Sequence, residues 1–203
     1  MSEKNFFHHG NLKNEIIKQG LKIINDRGFQ EVELKEIAKL CNVSSPSIYR
    51  HFKGKNDLMG ALLVKVSYDF YCFLNAESKQ SIANPEEKLT QMGVRFLLYS
   101  QNYRYYFEFL FYSEFERHVE LDSSVHIDNF DEQNSFNLFK KSVIQYLNYY
   151  GVTNNYNKHI INLWSYISGL AVVAEGINSN NKNKILEAYI QDMIKIYTLS
   201  LKS

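Results

Sequence analysis

Proline is almost missing from this chain: Pro46 and Pro85 are the only two in 203 residues, and glycine numbers nine. Few positions therefore force the backbone to break. The apolar residues between those breaks recur at helical spacing, so the expected fold is all-α. Cysteine is equally scarce. Cys41 and Cys72 stand alone with no C-x-x-C spacing, so each is expected to point inward from its helix as a small hydrophobe, with redox or metal chemistry the lesser alternative.

Long hydrophobic runs are also lacking. The longest uncharged apolar stretch, Ile160 to Ala174, falls short of the roughly 20 residues that cross a bilayer and is bounded by Lys158 and Glu175, so it reads as a buried helix. The opening "MSEKNFFHHGN" has neither the apolar core and cleavage site of a secretory signal nor a twin-Arg pair, and the expected location is the cytoplasm, without a membrane partner. There is no Gly-rich phosphate loop, no H-E-x-x-H, no nucleophile elbow and no Cys/His cluster. Nothing in the pattern calls for an enzyme, a cofactor or a metal.

What is present is an ordinary globular composition, 45% hydrophobic and 22% charged, with a net charge of +1. The charge is unevenly placed. Residues 1–60 hold ten Lys/Arg against seven Asp/Glu, a net +3, leaving 13 against 15, a net −2, for the rest.

The positive end contains short helical patterns. Leu12, Ile16, Ile17, Leu21 and Ile24 predict a first helix from Leu12 to Asp26, stopped at Gly28. Leu34, Ile37, Ala38 and Cys41 predict a second of about two turns. Asn42, a residue that tolerates positive φ, stands where the chain must reverse, and Val43 plugs the turn. Ser44 is a good N-cap, with a hydroxyl able to accept from a free backbone N–H, and Pro46 suits a first turn. The third helix carries Ile48 and Phe52 inward and ends near Gly54, and a long segment from Lys55 to Lys79 follows. Two helices about a tight turn, the second short and polar at its front, form a helix-turn-helix. Its displayed face, Ser45, Ser47, Tyr49, Arg50 and His51, either enters a DNA major groove, for which it has the size and donors, or is a solvated face whose Tyr and His shield the core.

The stretch from His8 to Leu63 resembles the DNA-binding domain of the TetR family of one-component bacterial regulators. Gly28-Phe29, Ile37-Ala38, Val43-Ser44, the run Ile48 to Phe52 ("IYRHF") and Lys53, Lys55 and Leu58 as "K-x-K-x-x-L" occur in that family's order and spacing. "LWSYISGLAVVAEG", Leu163 to Gly176, is similar to the Trp-Ser-x-x-His-Gly-Leu-Ala pattern in the regulatory domain of one subgroup, whose members often begin like His8 to Leu12. Three departures stand out: Glu33 where the family caps helix two with Thr or Ser, Asn42 for the turn Gly, and Ser168 for the downstream His.

The resemblance implies a helix-turn-helix domain over residues 1–55 and a helical ligand-binding and dimerisation domain over 56–203. It implies contacts to a double-stranded operator by Ser44, Ser45, Pro46, Ser47, Tyr49, Arg50, His51 and Lys55. Of these, Ser45, Pro46 and Ser47 would meet base edges, and Tyr49, His51 and Lys55 phosphates. Arg50 suits a guanine edge or a phosphate. The segment "KNFFHHGN", with the adjacent His8 and His9, is an arm on the DNA or a frayed end.

Downstream, Asn84-Pro85 opens a helix, "YRYYFEFLFY" follows, and a polar break runs from Ser113 to Ser135 before helices over Phe136 to Tyr150, Asn157 to Asn178 and Lys182 to Leu201. Phe96, Tyr99, Tyr103, Tyr106, Phe107, Phe111, Phe136, Phe139, Tyr146 and Trp164 either line a cavity for a flat, greasy effector or fill a core. Arg95 and Arg104 either meet an anionic ligand or snorkel to solvent. The last two helices resemble the family's dimer interface. Ser165, Ser168, Gly169 and Gly176 would allow close approach, with Leu163, Ile167, Val172, Ile190, Ile194 and Tyr197 as apolar contact in a homodimer. The function implied is a dimeric repressor released from a near-palindromic operator by a small-molecule effector of unknown identity. A ligand-independent or activating regulator with the same reader is the alternative.

Overall fold

A computed structural model of the chain describes residues 12–76, 84–113 and 135–202. The N-terminal arm with His8 and His9, and the polar break from residue 114 to 134, lie outside the described residues. Among the described residues there are nine α-helices and no strand: α1 Leu12–Arg27, α2 Leu34–Leu40, α3 Ser45–Tyr49, α4 Lys55–Asn75, α5 Pro85–Asn102, α6 Arg104–Tyr112, α7 Ser135–Tyr149, α8 Tyr156–Glu175 and α9 Lys182–Leu201. The all-α expectation is met, and no described helix is long and apolar enough to cross a membrane.

The contacts divide these helices into two compact units. One holds residues 12–66 and 103–113, and the other holds 67–76, 84–102 and 135–202, so α4 contributes residues to both.

In the first unit, α1 ends where Gly28 adopts φ 95° and returns its N–H to Ile24 O at 2.9 Å, and a single 3-10 turn, Phe29–Glu31, leads to α2. The core joins Ile16, Ile23 and Ile24 of α1 to Ile37 of α2, Ile48 of α3 and Leu58, Met59, Leu62 and Val66 of α4, all buried. Residues 104–112 complete it from far along the sequence. Phe109 of α6 is fully buried with its ring 5.4 Å from that of Phe29, and the Tyr106 hydroxyl donates to Leu21 O at 3.0 Å.

In the second unit, α5 packs against α7, α8 and α9. Gly93 permits the approach of α9, because a Cβ there would stand 3.2 Å from Ile190. A buried aromatic group, Phe70, Phe96 and Tyr99, ties the end of α4 to α5, and the Arg95 guanidinium donates to Leu74 O, at the C-terminal end of α4, at 3.1 Å. Burial lowers the pKa of that guanidinium.

The two cysteines part company. Cys41 is buried as expected, and burial followed by the charge of Glu15 raises its thiol pKa. Cys72 is exposed, contrary to expectation. The inward stripe of α4 runs Leu62, Val66, Phe70, Leu74, and Cys72 lies two residues from Phe70, about 200° around the helix.

Candidate nucleic-acid interface

The turn between α2 and α3 is closed by the backbone. Asn42 adopts φ 55°, its N–H bonds Lys39 O at 3.1 Å, and the Val43 N–H reaches Ala38 O at 2.9 Å. This pair is a Schellman motif with Asn in the place usually taken by Gly. Val43 packs against the core of the first unit, so the turn is pinned from inside.

From there α3 is built on two anchors. Ile48 is fully buried and Phe52 nearly so, while the Lys13 ammonium stands 5.7 Å from the Phe52 ring centroid. With these positions fixed, Ser44, Pro46, Tyr49 and Arg50 are exposed, and Ser45, Ser47 and His51 half-buried beside them. The structure thus brings the whole expected reading set onto one short helix and its flanks. Ser44 occupies the N-cap position, yet its hydroxyl caps no backbone N–H. It lies 3.0 Å from the Ser47 hydroxyl instead, so the two satisfy each other across the front of the helix.

Lys55 opens α4 beside this face. Its ammonium bonds Glu33 at 3.0 Å, and the Asp57 carboxylate accepts the Lys53 N–H at 2.8 Å. Glu33 itself is the N-cap residue of α2 but makes no capping bond. In the first turn of α2, Glu36 pairs with Arg27 at 2.6 Å.

Residues 16–62 match the family model for bacterial regulatory proteins of the tetR family. Residues 16–62 are a tetR-family domain. The same assignment agrees with a Bacillus subtilis (strain 168) protein named "Probable HTH-type transcriptional regulator YttP", 32% identical over 115 residues, which are 56% of this chain and 53% of that protein. The chain thus spans about half the length of the curated relative it matches. Among solved structures, a protein of unknown function from Rhodococcus sp. RHA1 superposes with a TM-score of 0.73 at 11% identity, covering 99% of this chain and 100% of that one. A tetR-family transcriptional regulator from Streptomyces coelicolor does so with a TM-score of 0.63 at 18% identity, covering 96% and 84%. These two share the fold. The helix-turn-helix expected from the sequence lies within the matched residues, and the helical remainder shares its fold with these two structures.

The second unit carries a cavity of about 30 Å3 lined by Leu74, Leu89, Met92, Gly93, Phe96, Phe139, Leu163, Trp164, Ile167, Ile190, Met193 and Ile194. Of the expected ligand-binding aromatics, Phe96, Phe139 and Trp164 line it, and Phe136 stands edge-on to Trp164 at 5.2 Å. Tyr99 is buried between Phe70 and Phe73. Tyr103, Tyr106 and Phe107 belong to the first unit, because α6 docks on α1 and carries them with it. Tyr146 fills core, its hydroxyl 2.7 Å from that of Thr198. Arg104 bonds Glu108 at 2.8 Å, and with Arg95 on Leu74 O both guanidiniums are engaged by the protein.

Ser165, Gly169, Val172 and Gly176 of the expected dimer set are exposed, and Ser168 is half-buried. Leu163 and Ile167 of α8 and Ile190 and Ile194 of α9 are not exposed: all four are buried, the last two on the Leu186, Ile190, Ile194, Thr198 stripe that α9 turns inward. The apolar residues left outside on these helices are Ile161, Tyr166, Val172 and Val173 of α8 and Tyr189, Ile196 and Leu199 of α9, which sequence reading largely missed because α9 is apolar on more than one face.

Proposed function

We propose that this chain is a transcriptional regulator that binds a near-palindromic operator as a homodimer and releases it when a small apolar molecule enters the second unit. The observation that carries the reading is the α2-turn-α3 arrangement: a five-residue helix anchored by Ile48 and Phe52, with Pro46, Tyr49 and Arg50 turned outward. Such a helix fits a major groove, its N-terminal residues on base edges and its neighbours on phosphates. In this reading Ser45, Pro46 and Ser47 face bases. Tyr49, His51 and Lys55 hold backbone, Ser44 starts the helix, and residues 1–55 act as reader with 56–203 as sensor and dimer arm.

Dimerisation is supported by the apolar residues that α8 and α9 leave exposed, several of them more than half accessible. Effector binding is supported by the apolar cavity, which at about 30 Å3 would have to widen, since organic ligands occupy pockets of roughly 300–1,000 Å3. Widening that favours an altered α4 would couple the two sites, and by linkage the effector must prefer free protein to bound protein by the factor through which it weakens DNA binding.

The test is footprinting of the purified chain on the DNA upstream of its own gene. An inverted repeat with half-sites about one helical turn apart should be protected. Uniform affinity for that DNA and for bulk DNA at moderate salt would overturn the reading.

A further inference from the structure

We propose that Glu33 competes, from within the protein, for the ammonium that Lys55 would offer to a DNA phosphate, so that affinity for DNA is held below the level the reading helix alone would give. The inference rests on the DNA-binding reading above.

Glu33 accepts the Ile37 N–H on its carbonyl at 3.1 Å, but its side chain caps nothing on the helix it starts. It sits at the N-cap of α2 in extended conformation, φ −126° and ψ 128°, and its side chain accepts no backbone N–H. A Ser or Thr at that place would cap the helix. The carboxylate reaches instead across 22 residues of sequence to Lys55 Nζ, at 3.0 Å.

Lys55 is the first residue of α4, where the unpaired N–H groups and the positive end of the helix make a natural seat for an anion. That seat already faces carboxylates. Glu33 holds the ammonium, and Asp57 in the first turn has taken the Lys53 N–H at 2.8 Å. A phosphate arriving there must share the Lys55 ammonium with Glu33 or displace it, and in either case the carboxylate stands close to the phosphate as a like charge.

The side chains of Lys55 and Glu33 are 40% and 65% exposed, so opening the pair is feasible and the penalty modest. An exposed ion pair is worth a factor of about two to five. The competition also blunts the salt response. A lysine that neutralises one phosphate contributes about 0.9 to the slope of log K against log salt, and a carboxylate beside it recruits a cation back and offsets part of that release.

The test measures binding of the full chain to a labelled random-sequence duplex and to a duplex from upstream of its gene, by fluorescence anisotropy over 50–200 mM KCl. Glu33→Gln keeps size and poor capping while removing charge. It should tighten binding to both duplexes about two- to fivefold at 50 mM, steepen the slope by up to about 0.9, and lose its steepening when combined with Lys55→Ala. Glu33→Thr should give the same gain with a higher thermal midpoint, because it restores a cap. If Lys55→Ala weakens binding while both Glu33 variants bind no better than the parent, the competition is refuted and DNA binding stands. If the parent protein binds neither duplex at 50 mM, the DNA-binding reading itself falls, and this inference with it.

Discussion

Asn42 shows how much one residue can disclose. Few side chains tolerate positive φ, so an Asn after a two-turn apolar stripe marks a helix end on chemical grounds, and the structure finds it at φ 55° in a Schellman turn. Ser44 was only half legible. Its position at the head of α3 follows from sequence, but the partner of its hydroxyl depends on the Ser47 rotamer, and no spacing rule reports that. The Glu33–Lys55 pair was wholly illegible, since it links residues 22 apart through the placement of three helices. Arg50 carries the prediction at this scale. It is exposed at the C-cap of α3, and Arg50→Ala should relax discrimination at one base pair by about 1–3 kcal/mol if its guanidinium reads a guanine edge. Competition binding with single-base operator variants checks this, and an equal loss on every sequence would assign Arg50 to the backbone.

At the scale of elements, helix starts were legible, but not every end and not the partners: the third helix, expected to run to near Gly54, stops at Tyr49. The periodicity that predicts α1 from Leu12, α2 from Leu34 and α9 over Lys182–Leu201 depends on local spacing, and each helix begins where expected. Spacing does not say where a helix docks. The aromatic segment that becomes α6 reads as a continuation of the aromatic-rich middle, yet Phe109 and Tyr106 seat it on the first unit. Phe109→Ala should therefore destabilise by about 3–5 kcal/mol, as deletion of a fully buried ring does. Tyr106→Phe, which removes only the hydrogen bond to Leu21 O, should cost about 1 kcal/mol. Urea unfolding of both variants measures the difference. Equal and negligible losses would mean that α6 does not support the unit.

For the whole molecule, the unread quantity was the direction of each face. α8 and α9 carry apolar residues on more than one face, so sequence alone could not separate the stripe that meets α5 from the residues left exposed. Ile190 and Ile194 went inward while Val173 and Ile196 stayed outside, 62% and 67% exposed. If these exposed residues are the dimer contact, Val173→Asp together with Ile196→Lys should yield a monomer with unchanged circular dichroism, since neither position supports the fold. Sedimentation velocity decides the point. A persisting dimer would move the interface elsewhere.

The lining of the second unit's hollow sets what kind of selectivity such a molecule could have. Its twelve lining residues carry no charged, hydroxyl or amide side chain, and the Trp164 indole is their one side-chain N–H donor. Walls of that sort cannot reject a look-alike by leaving a donor stranded, which is how sharp chemical discrimination arises; they sort guests by girth, and one methylene more or less changes the odds only about 10- to 200-fold. If the hollow takes an effector, that occupant would be chosen as one of a class of similar shapes, and a cell using this chain would hear a category of compound rather than a single signal.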